Sequence, residues 1–294
     1  MMLLPNWKDY TLLDTGHGEK AELWGDIKVI RPDPQAIWPR TNPKAWENPH
    51  MYYHRSKSGG GHWEVLRKTP EAWTISYNDI SFHIRPTGFK HMGLFPEQAV
   101  NWEWMMAKIK SEINSANRPI KILNLFAYTG AATVACLKAG ASVTHIDAAK
   151  GMNAQAKENI ILSGLADAPH RILADDVLKF VQREARRGSH YDGIIMDPPV
   201  FGRGPKGELW KLEDRLYELV TFAAAILTPN PLFMLINAYT AGLSPAVYGN
   251  MLRLVMGKYN GCTSFGEVGL KTQSDLVLPC GMYARWERNS SGIS

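Results

Sequence analysis

The sequence predicts a mixed α/β fold, in which a mostly parallel sheet is covered by helices, closed by an antiparallel hairpin and preceded by a small β-rich domain. Residues 120–256 alternate short apolar runs with amphipathic segments, as repeated strand–helix units do. Two final apolar runs, 263–270 and 282–286, have no helix between them. Eight of the ten tryptophans precede residue 105, in a stretch rich in proline and in short alternating runs.

The first 90 residues form the predicted β-rich domain. Five prolines between residues 31 and 49 argue against long helices there. Ile80, Phe82 and Ile84 alternate with polar residues, the period-2 pattern of a half-buried strand. The other predicted strands are 10–13, 21–30, 63–66 and 73–77. The tryptophans have two interpretations, either a compact core or exposed rings that stack on bases.

Residues 91–286 form the second predicted domain. A helix over 97–113 follows Pro96, because proline is favoured in the first turn of a helix. The predicted strands are 120–126, 142–146, 171–174, 193–196 and 232–236, and the predicted helices are 131–139, 152–163, 177–186, 212–227 and 245–256. The polar residues 287–294 are expected to form a frayed tail.

Composition excludes several classes of protein. The chain is 45% apolar and 21% charged, which is typical of a globular protein. No apolar run approaches the ~18–20 residues of a membrane helix. Three widely spaced cysteines predict neither a disulfide framework nor a metal site, and they favour the cytoplasm. A net charge of +5 is compatible with a nucleic-acid partner.

Candidate site residues stand where the predicted strands end, because ligands of open α/β sheets bind beyond the carboxyl ends of the strands. A carboxylate after the second strand can accept hydrogen bonds from the ribose of a nucleoside cofactor. Each aspartate alone has a second interpretation as a helix N-cap. The candidates are Asn124, Phe126, Ala127, Tyr128, Gly130, Asp147, Asp175, Asp176, Asp197, Pro198 and Pro199.

Together these motifs resemble those of the class I S-adenosylmethionine-dependent methyltransferases. With residues 90–98, 237–240 and 278–286 added, they resemble the bacterial branch of the 23S ribosomal RNA cytosine-5 and guanine-N7 methyltransferases, without the PUA domain of its cytosine-5 members. The resemblance implies a Rossmann-like class I methyltransferase sheet and S-adenosyl-L-methionine as the cofactor.

The resemblance also implies roles for individual residues. Asp147 would hold the ribose, Asp175 would meet the adenine, and the loop 124–130 would receive the methionine part. Gln98 and Phe95 would contact the cofactor, although a helix cap and a core aromatic are the alternatives for them. Asp197, Pro198 and Pro199 would form the catalytic turn beside the sulfonium methyl.

Cytosine-5 methylation needs a cysteine thiolate that adds to the base. No cysteine follows the fourth or the fifth predicted strand. We therefore expect methyl transfer without a catalytic cysteine.

Residues 201–211 follow the catalytic turn and combine three glycines with cations and a tryptophan. Cations beside an aromatic ring suit a substrate that carries phosphates and bases. We expect Phe201, Arg203, Lys206 and Trp210 to bind substrate, with Trp210 stacking on a base. The alternative is a solvated loop in which Trp210 is only an anchor.

The expected function is that of a cytoplasmic methyltransferase acting on RNA, with ribosomal RNA favoured and the β-rich domain as a candidate recognition element. The alternatives are a methyltransferase for a small molecule or a protein, an NAD-dependent oxidoreductase, and a non-catalytic RNA-binding protein that retains the cofactor fold. The sequence specifies neither the acceptor atom nor the oligomeric state.

Overall fold

The computed structural model describes residues 1–4, 6–56, 60–114, 116, 118–239 and 242–289. The chain divides into two compact units. The first comprises Met1–Val100 and Val268–Cys280, and the second comprises Asn101–Glu267 and Gly281–Ser294. The sequence predicted a single boundary after residue 90, whereas each unit is built from two separate segments of the chain.

The first unit is rich in β structure. Its elements are β1 (Met2–Leu3), β2 (Tyr10–Gly16), β3 (Glu19–Trp24), β4 (Ile27–Pro32), α1 (Pro43–Trp46), β5 (Met51–Arg55), β6 (Gly61–Val65), β7 (Trp73–Tyr77), β8 (Ile80–Ile84) and the 3-10 helix Pro96–Gln98. Strands β2 to β6 form one sheet in that order, and β7 pairs with β8 in an antiparallel hairpin. The predicted strand 21–30 is divided into β3 and β4 at Gly25, whose φ is +61°. The sequence did not predict β5 or α1.

The tryptophans of the first unit serve its core. Trp24 is fully buried, and its carbonyl accepts a hydrogen bond from Trp73 Nε1 at 3.0 Å. Trp7 is 7% exposed and donates to the carbonyl of Ser76. Trp46 donates to Asp14 Oδ2 at 2.8 Å. These contacts favour the core interpretation over exposed rings that stack on bases.

The second unit contains the alternating strands and helices. Its elements are α2 (Ala99–Ile113), which begins at the end of the first unit, β9 (Lys121–Leu125), α3 (Ala131–Lys138), β10 (Ser142–Asp147), α4 (Lys150–Leu162), β11 (His170–Ala174), α5 (Val177–Arg186), β12 (Gly193–Met196), β13 (Phe201–Arg203), β14 (Leu209–Lys211), α6 (Leu212–Ala225), β15 (Phe233–Ala238), α7 (Pro245–Met256), β16 (Gly261–Lys271) and β17 (Val277–Arg288). The strand order is β16-β17-β15-β12-β9-β10-β11, and residues 268–271 of β16 and 277–280 of β17 belong to the first unit. Strands β15 to β11 in this order are parallel, and β17 is antiparallel to β15. The predicted fold class is thereby confirmed.

Two local predictions were wrong. The expected loop 201–211 contains the antiparallel hairpin β13–β14. Of the expected tail 287–294, Glu287 and Arg288 are the last residues of β17, and residues 290–294 lie outside the described part of the chain.

The apolar core of the second unit lies between the sheet and its helices. Leu123 and Leu125 of β9 and Ile146 of β10 are fully buried against Phe180 of α5 and Leu216 of α6. Burial of such side chains stabilises the unit by about 1.5–3 kcal/mol each. Among the described residues, no helix is both long enough and apolar enough to cross a membrane.

Candidate functional site

The loop after β9 has a tightly folded backbone at the carboxyl end of the sheet. Phe126, Tyr128 and Gly130 have φ values of +53°, +51° and +82°, in the left-handed region. The Ala127 N–H donates to the carbonyl of Ile146 at 3.0 Å, which ties the loop to β10. A Cβ at position 130 would lie 2.8 Å from the Cβ of Ala156, so only glycine permits this approach to α4.

Asp147, the last residue of β10, holds the same loop. Its Oδ2 accepts a hydrogen bond from the Tyr128 N–H at 2.8 Å, and its Oδ1 accepts one from the Ala149 N–H at 2.9 Å. Desolvation raises the pKa of this carboxyl above its ordinary value despite both bonds. Because a carboxylate has about four acceptor positions, two remain for a ligand.

A buried network of polar side chains supports the loop after β9. The sequence did not predict this network. Asn124 Nδ2 donates to Thr133 Oγ1 at 3.0 Å, and that hydroxyl contacts His145 Nδ1 at 3.0 Å. His145 Nε2 contacts Asn153 Oδ1 at 3.1 Å, and Asn153 Nδ2 donates to the carbonyl of Asp147. Burial lowers the pKa of His145 to about 4, so its imidazole is neutral at neutral pH.

The network changes the role expected for Asn124. Its side chain is 3% exposed and is engaged inside the unit, so it positions the loop and does not face a ligand. The one signal in the sequence was His145, a titratable side chain two residues before Asp147 in a predicted strand of the sheet.

The two aspartates after β11 have different environments. Asp176 Oδ1 accepts from the Lys179 N–H at 2.9 Å and caps α5, which is the alternative interpretation of this residue. Asp175 Oδ2 forms an ion pair with Arg183, and its Oδ1 accepts from the Asp176 N–H. Asp175 therefore remains the candidate ligand contact of the two.

The Asp197-Pro198-Pro199 turn follows β12. The Asp197 N–H donates to the carbonyl of Leu125 at 3.3 Å, so the turn adjoins the end of β9. Desolvation raises the pKa of the Asp197 carboxyl to about 6. The carbonyl of Pro199 accepts from Trp210 Nε1 at 2.6 Å.

Trp210 is a core anchor, which contradicts the expectation that it stacks on a base. Its ring is 8% exposed and packs against Phe126, with 4.9 Å between ring centroids. Phe201, Arg203 and Lys206 are exposed on the same hairpin. The turn of the hairpin is fixed by Glu208, which accepts from the Lys206 N–H at 2.9 Å.

Phe95 and Gln98 belong to the first unit, where Phe95 is the N-cap of the 3-10 helix and Gln98 is its last residue. The Gln98 N–H donates to the carbonyl of Phe95 at 3.1 Å, and both side chains are half-buried. Phe95 also contacts the ring of His91, with 5.4 Å between centroids. The cofactor contacts expected of Phe95 and Gln98 stay predictions.

Comparison with known proteins shows the family to which this chain belongs. A family model for S-adenosylmethionine-dependent methyltransferases matches residues 41–241, more than half of the chain. The crystal structure of an S-adenosylmethionine-dependent methyltransferase from Agrobacterium tumefaciens is 38% identical in sequence. The two structures align over 98% of this chain and 93% of the Agrobacterium tumefaciens chain, with a TM-score of 0.92.

Two curated relatives are both named ribosomal RNA large subunit methyltransferase K/L. The protein from Syntrophotalea carbinolica is 28% identical over 187 residues, and the one from Shewanella frigidimarina is 30% identical over 178 residues. The matches cover 63% and 60% of this chain but only 25% and 24% of the relatives. The chain thus spans about a quarter of their length. The family match and the conserved architecture together show that the chain belongs to the S-adenosylmethionine-dependent methyltransferases.

Proposed function

We propose that this methyltransferase acts on RNA of the large ribosomal subunit, in the cytoplasm, at an acceptor atom that needs no enzyme cysteine. The observation that carries the proposal is the similarity of more than half of the chain to two relatives named for that substrate. The exposed cations of the β13–β14 hairpin support it.

The residues at the carboxyl edge of the sheet fit S-adenosyl-L-methionine. Asp147 is a half-buried carboxylate whose two protein bonds come from backbone N–H groups and whose pKa is raised, so further hydrogen-bond donors are favourable there. In our proposal Asp147 holds the ribose hydroxyls and Asp175 meets the adenine. The left-handed loop from Phe126 to Gly130 receives the methionine part.

The bound cofactor supplies a methyl group on a sulfonium, and the main task of the protein is to hold the acceptor in line with it. In our proposal the Asp197-Pro198-Pro199 turn orients the acceptor. Trp210 fixes that turn through the carbonyl of Pro199. A carboxylate with a pKa of about 6 is largely ionised at neutral pH, so Asp197 is suited to accept a proton from an acceptor amine.

The cysteines support a transfer without a covalent enzyme–base adduct. Cys136 and Cys280 are buried, and burial raises the pKa of both thiols. Cys262 is exposed in β16, away from the carboxyl ends of β12 and β15. A protein in which Cys136, Cys262 and Cys280 are all replaced should therefore retain turnover.

Substrate binding is assigned to the exposed residues of the hairpin. Arg203 and Lys206 carry charge into solvent directly after the catalytic turn, where they suit phosphate contacts. Phe201 is 58% exposed and is an aromatic ring available to a base. We also propose that the β-rich first unit takes part in substrate recognition.

The test is methylation of ribosomal RNA from cells that lack the protein. Purified enzyme and S-adenosyl-L-methionine with an isotope-labelled methyl group are added to that RNA, and its nucleosides are analysed by mass spectrometry. We expect one labelled nucleoside in large-subunit RNA that is also present in wild-type cells. A parallel reaction uses whole extract of the same cells, and label in its protein or small-molecule fraction, with none in RNA, would refute the substrate class.

A further inference from the structure

A cavity of about 600 Å³ lies at the amino ends of the parallel strands in the second unit. Its lining includes Lys121 and Ser142, the first residues of β9 and β10, and Arg171 near the start of β11. Asp147 stands at the other end of β10. At about 3.3 Å per residue, the six-residue strand puts the cavity roughly 17 Å from the cofactor edge. The cavity is therefore separate from the candidate cofactor site.

The register of the sheet explains why this cavity is polar. Lys121 is paired with Ser142, and Thr144 is paired with Arg171, so these four side chains share one face of the sheet. Leu123 is two residues beyond Lys121 on that face and is fully buried in the core. On this face of the sheet the apolar core therefore ends between Leu123 and Lys121, and polar side chains line the space beyond it.

Glu184, which lines the cavity, and Asp192, which follows the lining residue Tyr191 in the chain, are both already engaged. Glu184 accepts from the Tyr191 hydroxyl at 2.9 Å and from Arg187 at 3.0 Å. Desolvation raises the pKa of Glu184, but hydrogen bonds from Tyr191, Ser189 and Arg187 and the nearby charge of Arg171 outweigh it. The pKa is therefore lowered, and the group is ionised at neutral pH. Asp192 receives two hydrogen bonds, at 2.7 and 2.6 Å, from the guanidinium of Arg118.

Two cations at the cavity remain available. Lys121 and Arg171 are exposed, and within the described ranges neither lies within ion-pair distance of a carboxylate, although the charge of Arg171 helps to lower the pKa of Glu184. The exposed imidazole of His190 and the hydroxyls of Ser142 and Thr228 add further polar groups to the lining. A cavity lined by polar groups with an excess of positive charge suits an oxyanion, and its volume is within the range of small-ligand pockets.

We propose that this cavity binds phosphate groups, with Lys121 and Arg171 as the charged contacts. The proposal rests on the proposed RNA substrate, whose backbone is the favoured source of the phosphates. At about 3.4 Å per nucleotide, roughly five nucleotides span the height of the sheet, so one strand can reach both edges. A free nucleotide offers the same chemistry and is the other source.

The test compares the variant K121Q/R171Q with a matched control, K110Q/K157Q. The control also removes two positive charges, from exposed lysines on α2 and α4. Binding of a labelled single-stranded RNA is measured over a range of salt, and binding of AMP is measured by calorimetry. The affinity for S-adenosyl-L-methionine and the midpoint of urea unfolding establish that each variant is intact. The single variant R171Q replaces the double variant if the latter does not fold.

We expect K121Q/R171Q to bind the RNA about tenfold more weakly, and the slope of log K against log salt to fall by about 1.4, the value for two lost phosphate contacts. The control should match wild type. Loss of AMP binding alone would assign the cavity to a free nucleotide. Unchanged RNA and AMP binding would overturn this inference alone, whereas a wild-type protein that binds no RNA would also overturn the proposed substrate.

Discussion

Replacing Asp147 by asparagine tests whether this carboxylate mainly binds the cofactor or mainly stabilises the fold. The asparagine has a single acceptor oxygen in place of two, so one of the two backbone N–H groups now bonded to Asp147 loses its partner. A lost hydrogen bond costs about 0.5–1.5 kcal/mol of stability. The raised pKa shows that the ionised carboxylate is disfavoured in the folded protein, and the neutral amide removes that penalty.

These two effects oppose each other, so we expect Asp147→Asn to change the free energy of unfolding by less than about 1 kcal/mol. Cofactor affinity should respond differently, because the substitution weakens the charge-assisted hydrogen bonds that we propose Asp147 makes to the ribose hydroxyls. Their loss, about 1.5–3 kcal/mol, corresponds to roughly a 10- to 150-fold higher Kd.

Calorimetric titration with S-adenosyl-L-methionine and urea unfolding measure the two quantities on the same preparation. Asp176→Asn is the matched control, because it makes the same chemical change at the next strand end. Asparagine caps helices as well as aspartate does, so the control should keep both stability and affinity. An unchanged Kd in folded Asp147→Asn protein would refute the ribose assignment. A loss of stability as large as the loss of binding energy would show that Asp147 is mainly structural.

Three further changes test the site. Trp210→Phe should lower the free energy of unfolding by about 1–2 kcal/mol, because the indole hydrogen bond is lost. RNA affinity should be unchanged in a filter-binding assay. Weaker RNA binding by a variant as stable as wild type would support the base-stacking role instead. Gly130→Ala should lower the free energy of unfolding, measured with urea, by about 2–4 kcal/mol, because an alanine in the left-handed region would also clash with Ala156. The control Gly164→Ala, at φ +70° with no atom near the added Cβ, should lower it by only about 1–2 kcal/mol. The folded pKa of Asp197, about 6, lies above its ordinary 3.8, so wild type should lose about 1–3 kcal/mol of stability as pH rises from about 4 to 6. The Asp197→Asn variant should lack that part of the pH slope, and equal slopes in the two proteins would contradict the desolvated carboxyl.

Sequence patterns predicted the elements whose signals are local. Helix α5 has the predicted bounds, because Val177, Phe180 and Val181 repeat at helical spacing directly after the Asp176 cap. Strand β5 was not predicted, since its five residues alternate weakly and follow a proline-rich stretch. The strand is defined by its pairing with β4, which lies about twenty residues earlier in the sequence, and with β6, which follows it.

In the candidate site, too, features with a local sequence signal were predicted and features that depend on long-range contacts were not. The strand-end positions of Asp147, Asp175 and Asp197 followed from the order of strands and helices. The burial of Trp210 did not, because Phe126 meets it only after the sheet has brought the two loops together. The inward turn of Asn124 likewise depends on Thr133 and His145, which lie on other elements.

The position of β17 inside the sheet has a consequence for folding during synthesis. Strand β15 pairs on one side with β12 and on the other with residues 282–287 of β17. Until those late residues leave the ribosome, β15 presents an open edge, and open edges invite pairing with other chains. A nascent chain therefore passes through a period in which its central strands are made but the sheet is incomplete. Slow translation or truncation before residue 282 would lengthen exposure of that edge.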